Sequence, residues 1–462
     1  MSAIARLRER FAQDRRQPPL KVLAASGQLG YGIPKPAFDA GLAAEPDFIG
    51  CDMGSIDPGP AYLGSGKMAT SPSVTRRDLR MVLHGAQTTG VPLIIGSAGT
   101  AGAAPHLEAT LAMVREIARE DGLKFRLASI RADLPPDAVK SAWKRGRLRP
   151  LGAISEPDED AIDGCTHLVG QMGNEAIVRA LETEADVIVA GRCCDTAVFG
   201  AIPQILGYPM GITMHMAKII ECTSICCEPG GRDAILGILD EQGFVLDSMN
   251  PERHATPISV AAHSLYEQAD PFTVYEPEGC LHMEDAVYEA LDGHRARVHG
   301  ARWEPTKRCT IKVEGAGRVG ERAVLLAGCA DPRVIAGIEA ILADVEKTVR
   351  DIVPGGYRFY VHVYGLNGVV AWPTPPASPP REVFVLVECI AETAEEARTA
   401  IGVFKQYLLH HGFPGRISTG GNIAFPFTPP ELNAGTAYRF VIYHLMEADD
   451  LPNIFPVEVE EV

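Results

Sequence analysis

The segment MHMAKIIEC places several reactive side chains on one helical face. His215, Lys218 and Cys222 are spaced three and then four positions apart, and Glu221 lies at the edge of the same face. An imidazole, an ammonium group and a carboxylate grouped in this way can move protons to and from a bound substrate. The spacing predicts catalytic roles for His215, Lys218 and Glu221, although a hydrogen-bonded core histidine fits the same pattern.

Charged residues also follow two short apolar runs. In CDMGS, Asp52 is a candidate base or metal ligand, although an aspartate at a strand end can equally cap a turn. In AGRCCD, Arg192 could bind a substrate carboxylate through two parallel hydrogen bonds, with Asp195 orienting it. A structural ion pair between these two residues is the alternative.

A third group of residues has metal-ligand spacing. His263 and Glu267 are four positions apart in AAHSLYEQADP, and Asp270 follows one turn later. They could complete a His/carboxylate metal set with Asp52 or Glu221, or they could form a surface pair. The sequence therefore leaves a divalent cation open as a cofactor, with its ligands unassigned.

These side chains need elements that bring them together, and four apolar runs supply them. The runs are KVLAASG (21–27), DFIGCDMGS (47–55), LIIGSAGTAG (93–102) and DVIVAGRCCD (186–195). Apolar runs that stop at glycine and alternate with helical patterns are typical of strands in a buried parallel sheet. Ligands bind beyond the carboxyl ends of such strands. The predicted substrate-binding residues are accordingly Ser26, Gly27, Cys51, Gly54, Ser55, Ser97, Gly99, Thr100, Gly102, Arg192 and Asp195.

The 462 residues are too many for one ordinary core, so two domains are expected. The alternation of strands and helices predicts an α/β domain over residues 1–353, built on a large, mostly parallel sheet with helices on both faces. Beyond it, strands such as YRFYVHVYG alternate with one or two helices. This pattern predicts a small ferredoxin-like α+β domain over residues 354–462.

Composition and motif spacing exclude several classes of function. A net charge of −16 argues against nucleic acid as a partner, and no apolar stretch is long enough to cross a membrane. The N-terminal segment lacks the apolar core of a secretory signal, which predicts a cytoplasmic protein. The eleven cysteines include no C-x-x-C pair, so reduced thiols are expected. Neither GSAGTAG nor GSGK (64–67) has the spacing of an NAD or ATP motif.

Several longer motifs carry a family resemblance. GSAGTAGAAPHLE, ADVIVAGRCCDTA, HMAKIIEC, HSLYEQADP, STGGNIAFPFTPPEL and YRFVIYHLMEADD occur in the order found in the AtuA family, named for acyclic terpene utilisation. The chain resembles that family over nearly its whole length. The resemblance implies a large α/β domain followed by a ferredoxin-like domain, and a role in catabolism of acyclic terpenoids or branched acids. CDMGS and the paired cysteines depart from the terpene-pathway pattern, which suggests a different and smaller carboxylate.

Together, these observations predict a cytoplasmic catabolic lyase. The expected reaction is that of a hydro-lyase (hydratase), or else a carbon–carbon lyase, acting on a small hydroxy or unsaturated carboxylate or its acyl-CoA. Asp52, His215 and Lys218 would transfer protons, and Arg192 with the amides of residues 97–102 would hold the carboxylate. Self-association into a homo-oligomer is expected.

Two other functions fit the sequence. One is a non-catalytic or partner-dependent binding subunit, with the Trp372–Pro380 loop and Phe425–Phe427 contacting a small partner protein. The other is a redox role for the adjacent cysteine pairs, which is disfavoured because neighbouring cysteines form strained disulfides.

Overall fold

The chain divides into two units that differ from the predicted domains. The computed structural model describes residues 1–12, 18–374, 378–417 and 422–462. The first unit comprises residues 1–317 and 440–462, and the second comprises residues 318–439. The boundaries between these compact units therefore fall between residues 317 and 318 and between residues 439 and 440, whereas the predicted domain boundary lies between residues 353 and 354. Among the described helices, none has the length and apolarity that crossing a membrane requires.

The strands are named in chain order. They are β1 (Leu20–Ser26), β2 (Phe48–Asp52), β3 (Leu93–Gly96), β4 (Arg126–Ile130), β5 (Leu148–Pro150), β6 (Cys165–Gly170), β7 (Val187–Ala190), β8 (Ile235–Leu239), β9 (Gly243–Ser248), β10 (Thr273–Glu276), β11 (Gly279–His282), β12 (Val287–Ala290), β13 (Ala296–His299), β14 (Arg302–Pro305), β15 (Cys309–Cys329), β16 (Arg358–Tyr364), β17 (Val383–Ala391), β18 (Glu431–Ala448) and β19 (Val457–Glu461).

The helices are named in the same way. They are α1 (Ala3–Ala12), α2 (Lys35–Ala43), α3 (Ala61–Ser65), α4 (Pro72–Thr89), α5 (Ala104–Asp121), α6 (Pro136–Lys144), α7 (Glu159–Asp163), α8 (Asn174–Glu182), α9 (Asp195–Leu206), α10 (Met210–Ile220), α11 (Pro257–Ser264), α12 (Pro332–Ala336), α13 (Ile338–Ile352), α14 (Ala394–His410) and α15 (Leu451–Ile454), with a short 3₁₀ turn at Thr223–Cys226.

The largest sheet of the first unit is mixed. Its strand order is β12-β13-β9-β8-β1-β2-β3-β7-β4-β19, and the central strands β1, β2, β3, β7 and β4 run parallel. Every pairing outside that central block is antiparallel. The prediction of a mostly parallel sheet is therefore wrong. A tight turn joins β8 to β9 without a crossover helix, and β19 adds to the opposite edge, so both flanks can pair antiparallel.

The predicted apolar runs form the central parallel strands, and both faces of the sheet are covered. Along β1, Val22 and Ala24 pack into the core beneath α1, α8, α9 and α10. Leu23 and Ala25 point to the opposite core, beneath α2, α4 and α5. Strand side chains alternate between faces, so a strand buried on both faces is apolar throughout. Helices lie on both faces, as predicted.

The second unit has its own core. Its strands lie in the order β16-β17-β15-β18, counting only the parts of β15 and β18 that belong to this unit. Helices α12, α13 and α14 pack on one face, where Leu342, Val385 and Phe404 are buried together. Because α12 and α13 contribute to this core, they belong with the C-terminal elements and not with the first unit.

A buried carboxylate fixes the loop that follows β1. Asp78 on α4 is fully buried and accepts hydrogen bonds from the backbone N–H groups of Gly30, Gly32 and Ile33 at 2.8–3.1 Å. The Arg77 guanidinium lies 2.6 Å from the same carboxylate. Three backbone donors and one cation satisfy the charge, so this loop is held in one conformation.

We expect Asp78→Ala to lower the free energy of unfolding by about 3 kcal/mol, because three backbone N–H donors, two of them in buried hydrogen bonds, lose a charged acceptor. Urea denaturation followed by circular dichroism measures the change. The matched control is Asp39→Ala, which removes an exposed carboxylate paired with exposed Lys35, and we expect a loss of less than about 0.5 kcal/mol there. Equal effects in the two variants would contradict the assigned role of Asp78.

Candidate functional site

A cavity of about 230 Å³ lies in the first unit, at the carboxyl ends of the central strands. It is lined by Ser26, Gly27, Gln28, Tyr31, Gly32, Ile33, Asp52, Gly54, Ser55, Asp57, Asp195, Cys222, Thr223, Ile225, Arg232, Tyr266 and Glu267. The structure thus brings six of the predicted site residues to one cavity: Ser26, Gly27, Asp52, Gly54, Ser55 and Asp195.

Two carboxyl groups occupy the inner part of this cavity. Asp52 ends β2, is 2% exposed, and accepts a hydrogen bond from the Gly54 N–H at 2.8 Å through Oδ2. Its Oδ1 atom has no hydrogen-bond partner among the described residues, and neither has Oδ1 of Asp195 at the start of α9. Burial and the charge of Asp195 raise the pKa of Asp52 well above its ordinary value. Burial also raises the pKa of Asp195, against the opposing effect of Arg192.

A buried lysine and glutamate lie beside this carboxyl pair. Lys218 on α10 donates a hydrogen bond from Nζ to Oε1 of Glu221 at 2.6 Å, and both side chains are at least nine-tenths buried. Burial, reinforced by Asp195 and opposed by Lys218, raises the pKa of Glu221 to about 8. Because carboxyl groups with raised pKa values exchange protons near neutral pH, this cluster can act as a general acid and base.

The end of α10 reaches the cavity because Gly27 has no side chain. A Cβ atom at residue 27 would lie 2.5 Å from the Glu221 carbonyl oxygen and 3.1 Å from Cα of Cys222. The backbone of Leu29 donates to the Asp52 carbonyl at 2.7 Å. The loop after β1 therefore packs directly between β2 and α10, which explains why glycine is required at residue 27.

Arg192 lies behind the cavity wall and not within it. Its guanidinium is 3.0 Å from Oε2 of Glu314 through Nε and 3.3 Å from Oε1 through Nη2. Lys312 completes the network, with Nζ 3.0 Å from Oε1 of Glu314. The structure therefore gives the Arg192 charge to a buried carboxylate on β15. The predicted substrate clamp at Arg192 does not fit this placement.

The loop after β3 supports the strand ends without lining the cavity. Ser97 is buried with a positive φ of 47° and lies within 3.4 Å of both Arg192 Nη1 and the Cys193 backbone N. Gly102, with φ of 66°, packs so closely that a Cβ would lie 2.1 Å from the Arg192 backbone N. Gly99 packs against His106, and Thr100 accepts a hydrogen bond from the Ala69 N–H at 3.1 Å. Ser97 and Gly102 thus join the loop after β3 to the residues that follow β7, whereas Gly99 contacts α5 and Thr100 contacts the segment before α4.

The structure separates two other predicted residues from the cavity. His215 packs against Tyr288, with Nε2 3.1 Å from Ser264 Oγ and 3.3 Å from Tyr288 Oη. Burial lowers the pKa of His215 to about 3, so the imidazole is neutral. Cys51 points to the opposite face of the sheet and is buried beneath α2 and α4.

The predicted metal set is not assembled. His263 stacks on Tyr266 with ring centroids 5.4 Å apart, and burial lowers its pKa to about 4. Among the described residues, no group of three or more His, Cys, Asp or Glu side chains is arranged to hold a metal ion. The eleven cysteines are all unpaired.

Sequence reasoning missed several charged residues around the cavity. Lys312 and Glu314 are two positions apart in TIKVEG. Charges at alternate positions of an apolar strand lie on one face, and this pattern could have indicated a buried charge network. Arg232 follows two glycines and carries no comparable signal. Glu276 ends β10 and accepts a hydrogen bond from Thr196 Oγ1 at 2.8 Å. Burial raises the pKa of Glu276 to about 7.

Fold and site together define an α/β protein with a small, acid-lined cavity at the strand ends of its largest sheet. Residues 71–228 and 244–430 match the acyclic terpene utilisation family protein AtuA. These stretches make up well over half of the chain, so the chain belongs to the AtuA family, and the resemblance inferred from its motifs is confirmed. No curated protein matches the chain, and no solved structure matches it.

The raised pKa of Glu276 predicts a pH-dependent stability. A carboxyl that binds its proton more tightly in the folded state stabilises the fold at low pH, and this contribution is lost as pH rises from about 4.5 to about 7. Glutamine mimics the protonated form. As pH rises across this window, we expect the free energy of unfolding of Glu276→Gln to increase relative to that of the wild type by on the order of 2 kcal/mol. Thermal melts at several pH values measure this, with exposed Glu182→Gln as the control. A constant difference at all pH values would contradict the assignment.

Proposed function

We propose that this protein is a hydro-lyase that adds water to, or removes it from, a small hydroxy or unsaturated carboxylate or the acyl part of its thioester. The observation that carries the proposal is the pair of carboxyl residues that line one cavity, buried Asp52 and partly buried Asp195, beside the Lys218–Glu221 pair. Dehydration requires a base for the proton next to the carbonyl and an acid for the departing hydroxyl. Neighbouring carboxyl groups with raised pKa values can supply one of each.

Dehydration requires two proton transfers, one from carbon and one to oxygen. In the dehydration direction an ionised carboxylate takes the proton from the carbon next to the carbonyl, and the electron pair forms the carbon–carbon double bond. The carbon–oxygen bond breaks as the protonated partner gives its proton to the hydroxyl, which leaves as water. We assign these roles to Asp52 and Asp195, with Lys218 and Glu221 as the adjoining proton store. Hydration is the reverse sequence.

The cavity volume supports a small ligand. About 230 Å³ is below the range of roughly 300–1,000 Å³ that is usual for drug-sized ligands. A small acid fits such a volume. A coenzyme A thioester could insert only its acyl group, with the nucleotide part outside.

Arg232 replaces Arg192 as the residue that binds the substrate carboxylate. It lines the cavity, its side chain is exposed, and its guanidinium carbon lies 6.0 Å from the centre of the Tyr31 ring. It forms no ion pair within the described ranges of the chain. A guanidinium free of protein carboxylates can bind a ligand carboxylate through two hydrogen bonds.

The family's description supports a catabolic setting with acyclic terpenoids as the wider substrate class, and we extend that class to branched acids. We further propose that the protein is cytoplasmic and homo-oligomeric, and that the second unit, with its sheet and helices packed on one face, is ferredoxin-like. A carbon–carbon lyase reaction would use the same acid and base groups.

An alternative function is a binding subunit that is active only with a small partner protein. Two exposed aromatic side chains of the second unit favour it: Trp372 is 70% exposed and Phe427 is 47% exposed. Residues 375–377 of the predicted contact loop lie outside the described residues. Turnover by the purified chain alone would exclude this alternative.

We expect Asp52→Asn to reduce kcat by at least about 100-fold, because general acid–base catalysis commonly contributes 10²–10⁴-fold. The measurement screens small hydroxy and unsaturated carboxylates by thermal shift and then follows water addition or loss by NMR. Exposed Asp39→Asn is the control and should keep full activity. If none of these acids raises the melting temperature of the purified chain, the proposal loses its support.

We expect Arg232→Ala to raise KM by about tenfold or more with a smaller effect on kcat, because a charge-assisted hydrogen bond contributes roughly 1.5–3 kcal/mol. Exposed Arg145→Ala, which lies outside the cavity, controls for loss of positive charge. An unchanged KM in Arg232→Ala would assign carboxylate binding to another group.

A further inference from the structure

The mouth of the cavity is formed by loops that carry more acidic than basic residues. Apart from Asp195, every lining residue belongs to one of four segments: 26–33, 52–57, 222–232 and 266–267. These segments contain one basic residue, Arg232. Their acidic residues outnumber it and are Asp52, Asp57, Glu228 and Glu267. Among the described residues that line the cavity, Arg232 is thus the one cation that a ligand meets.

The outer carboxylates of these segments are not neutralised by protein cations. Asp57, Glu228 and Glu267 are exposed, and none of them forms an ion pair within the described ranges of the chain. A hydrogen bond to Glu267, together with burial, raises the pKa of the Tyr266 phenol to about 12, and the charge of Asp57 adds to this rise. Asp57 and Glu267 therefore lie around the same side chain at the mouth, where their charges add.

The charges at the mouth select the charge of the ligand. A single carboxylate can pair with Arg232 through two hydrogen bonds. A second carboxylate would have no cation among the described lining residues and would face Asp57 and Glu267, and juxtaposed like charges weaken binding. The phosphates of coenzyme A meet the same obstacle, since proteins hold phosphates chiefly with Lys and Arg side chains. The net charge of −16 adds to the repulsion.

The rest of the mouth suits an uncharged part of a ligand. Tyr31, Ile225 and Tyr266 line the cavity and are 45%, 46% and 43% exposed. Exposed apolar side chains grouped at one place mark a surface that contacts a ligand or a partner. Substrate atoms that extend beyond the inner cavity therefore meet two aromatic rings and an aliphatic side chain.

We infer that the cavity takes its substrate as a free acid with a single negative charge, and that it disfavours both dicarboxylates and coenzyme A thioesters. This inference rests on the proposed function, which covers the acid and its thioester alike. It selects the acid from these two substrate classes, with Arg232 as the single counter-charge.

Four compounds built on one hydroxyacyl group test the inference: 3-hydroxybutyrate, malate, 3-hydroxybutyryl-CoA and S-(3-hydroxybutyryl)-N-acetylcysteamine. Malate replaces the methyl group of 3-hydroxybutyrate with a carboxylate, and the N-acetylcysteamine thioester lacks the phosphates of coenzyme A. Isothermal titration calorimetry measures the affinity of each enantiomer for the full chain. We expect 3-hydroxybutyrate to bind at least about tenfold more tightly than malate or 3-hydroxybutyryl-CoA, because the latter two place extra negative charge at an acidic mouth. The N-acetylcysteamine thioester should rank between the acid and the coenzyme A thioester.

The outcomes separate this inference from the proposed function. Malate or either thioester binding as tightly as 3-hydroxybutyrate would overturn the inference. Water addition to, or loss from, such a compound would at the same time retain the proposed function. Binding of 3-hydroxybutyrate alone, without any water addition or loss, would retain the inference on ligand charge and contradict the hydro-lyase. Absence of binding by all four compounds would contradict both.

Charge reversal locates the effect at the mouth. The double variant Asp57→Lys/Glu267→Lys should raise the affinity for malate and for 3-hydroxybutyryl-CoA at least about tenfold relative to 3-hydroxybutyrate. The control Glu182→Lys/Glu241→Lys makes the same change in net charge. Both control residues are exposed and lie toward the opposite end of the main sheet, since Glu182 ends α8 before β7 begins and Glu241 follows Leu239, which pairs with the first residue of β1. An unchanged affinity ratio in the mouth variant, or an equal rise in both variants, would overturn the inference.

Salt provides the same test on the wild type, in case the mouth variant does not fold. From about 0.01 M to about 1 M sodium chloride the Debye length falls from about 30 Å to about 3 Å, which screens the mouth carboxylates. We expect malate to gain affinity relative to 3-hydroxybutyrate over this range. A constant ratio of the two affinities would overturn the inference.

Discussion

The site depends on the balance of charge buried at the strand ends. Glu314 has no exposed side-chain surface and is compensated by both Arg192 and Lys312. Removing one partner of such a network leaves a charge uncompensated, which is far more costly than never burying it. The pKa of Glu314 accordingly stays below its ordinary value, because the two cations outweigh the effect of burial. By contrast, Asp52 and Asp195 lack full compensation, and burial raises the pKa of each above its ordinary value.

The same comparison separates structural carboxylates from candidate catalytic ones. Asp78 is as buried as Asp52, yet it has three backbone donors and a guanidinium. Within the part of the chain that the structure describes, Asp52 has one backbone donor on one oxygen and none on the other. Burial alone therefore does not identify a functional carboxylate. The informative difference is that Asp52 is incompletely hydrogen-bonded and lines the cavity, whereas Asp78 is fully satisfied and is not among the residues that line it.

The sequence predicted the central strands and the cluster at their ends because apolar runs and terminal glycines are local signals. Six residues predicted from these signals do line one cavity: Ser26, Gly27, Asp52, Gly54, Ser55 and Asp195. The prediction for Arg192 failed because its partner, Glu314, is distant in sequence. The prediction for His215 failed because helical spacing does not tell which neighbours α10 meets. The antiparallel flanks were missed because pairing partners such as β4 and β19 are set by tertiary contact.

The pairing of β19 with β4 also has a consequence for assembly of the first unit. Val457 lies opposite Ile130, and the whole second unit lies between them in the chain. The edge of the main sheet beyond β4 therefore stays unpaired during synthesis until residues 318–439 have been made. Such late, long-range closure is slow, and an open strand edge invites pairing with another chain. A nascent chain of this architecture would need protection from aggregation until that strand arrives.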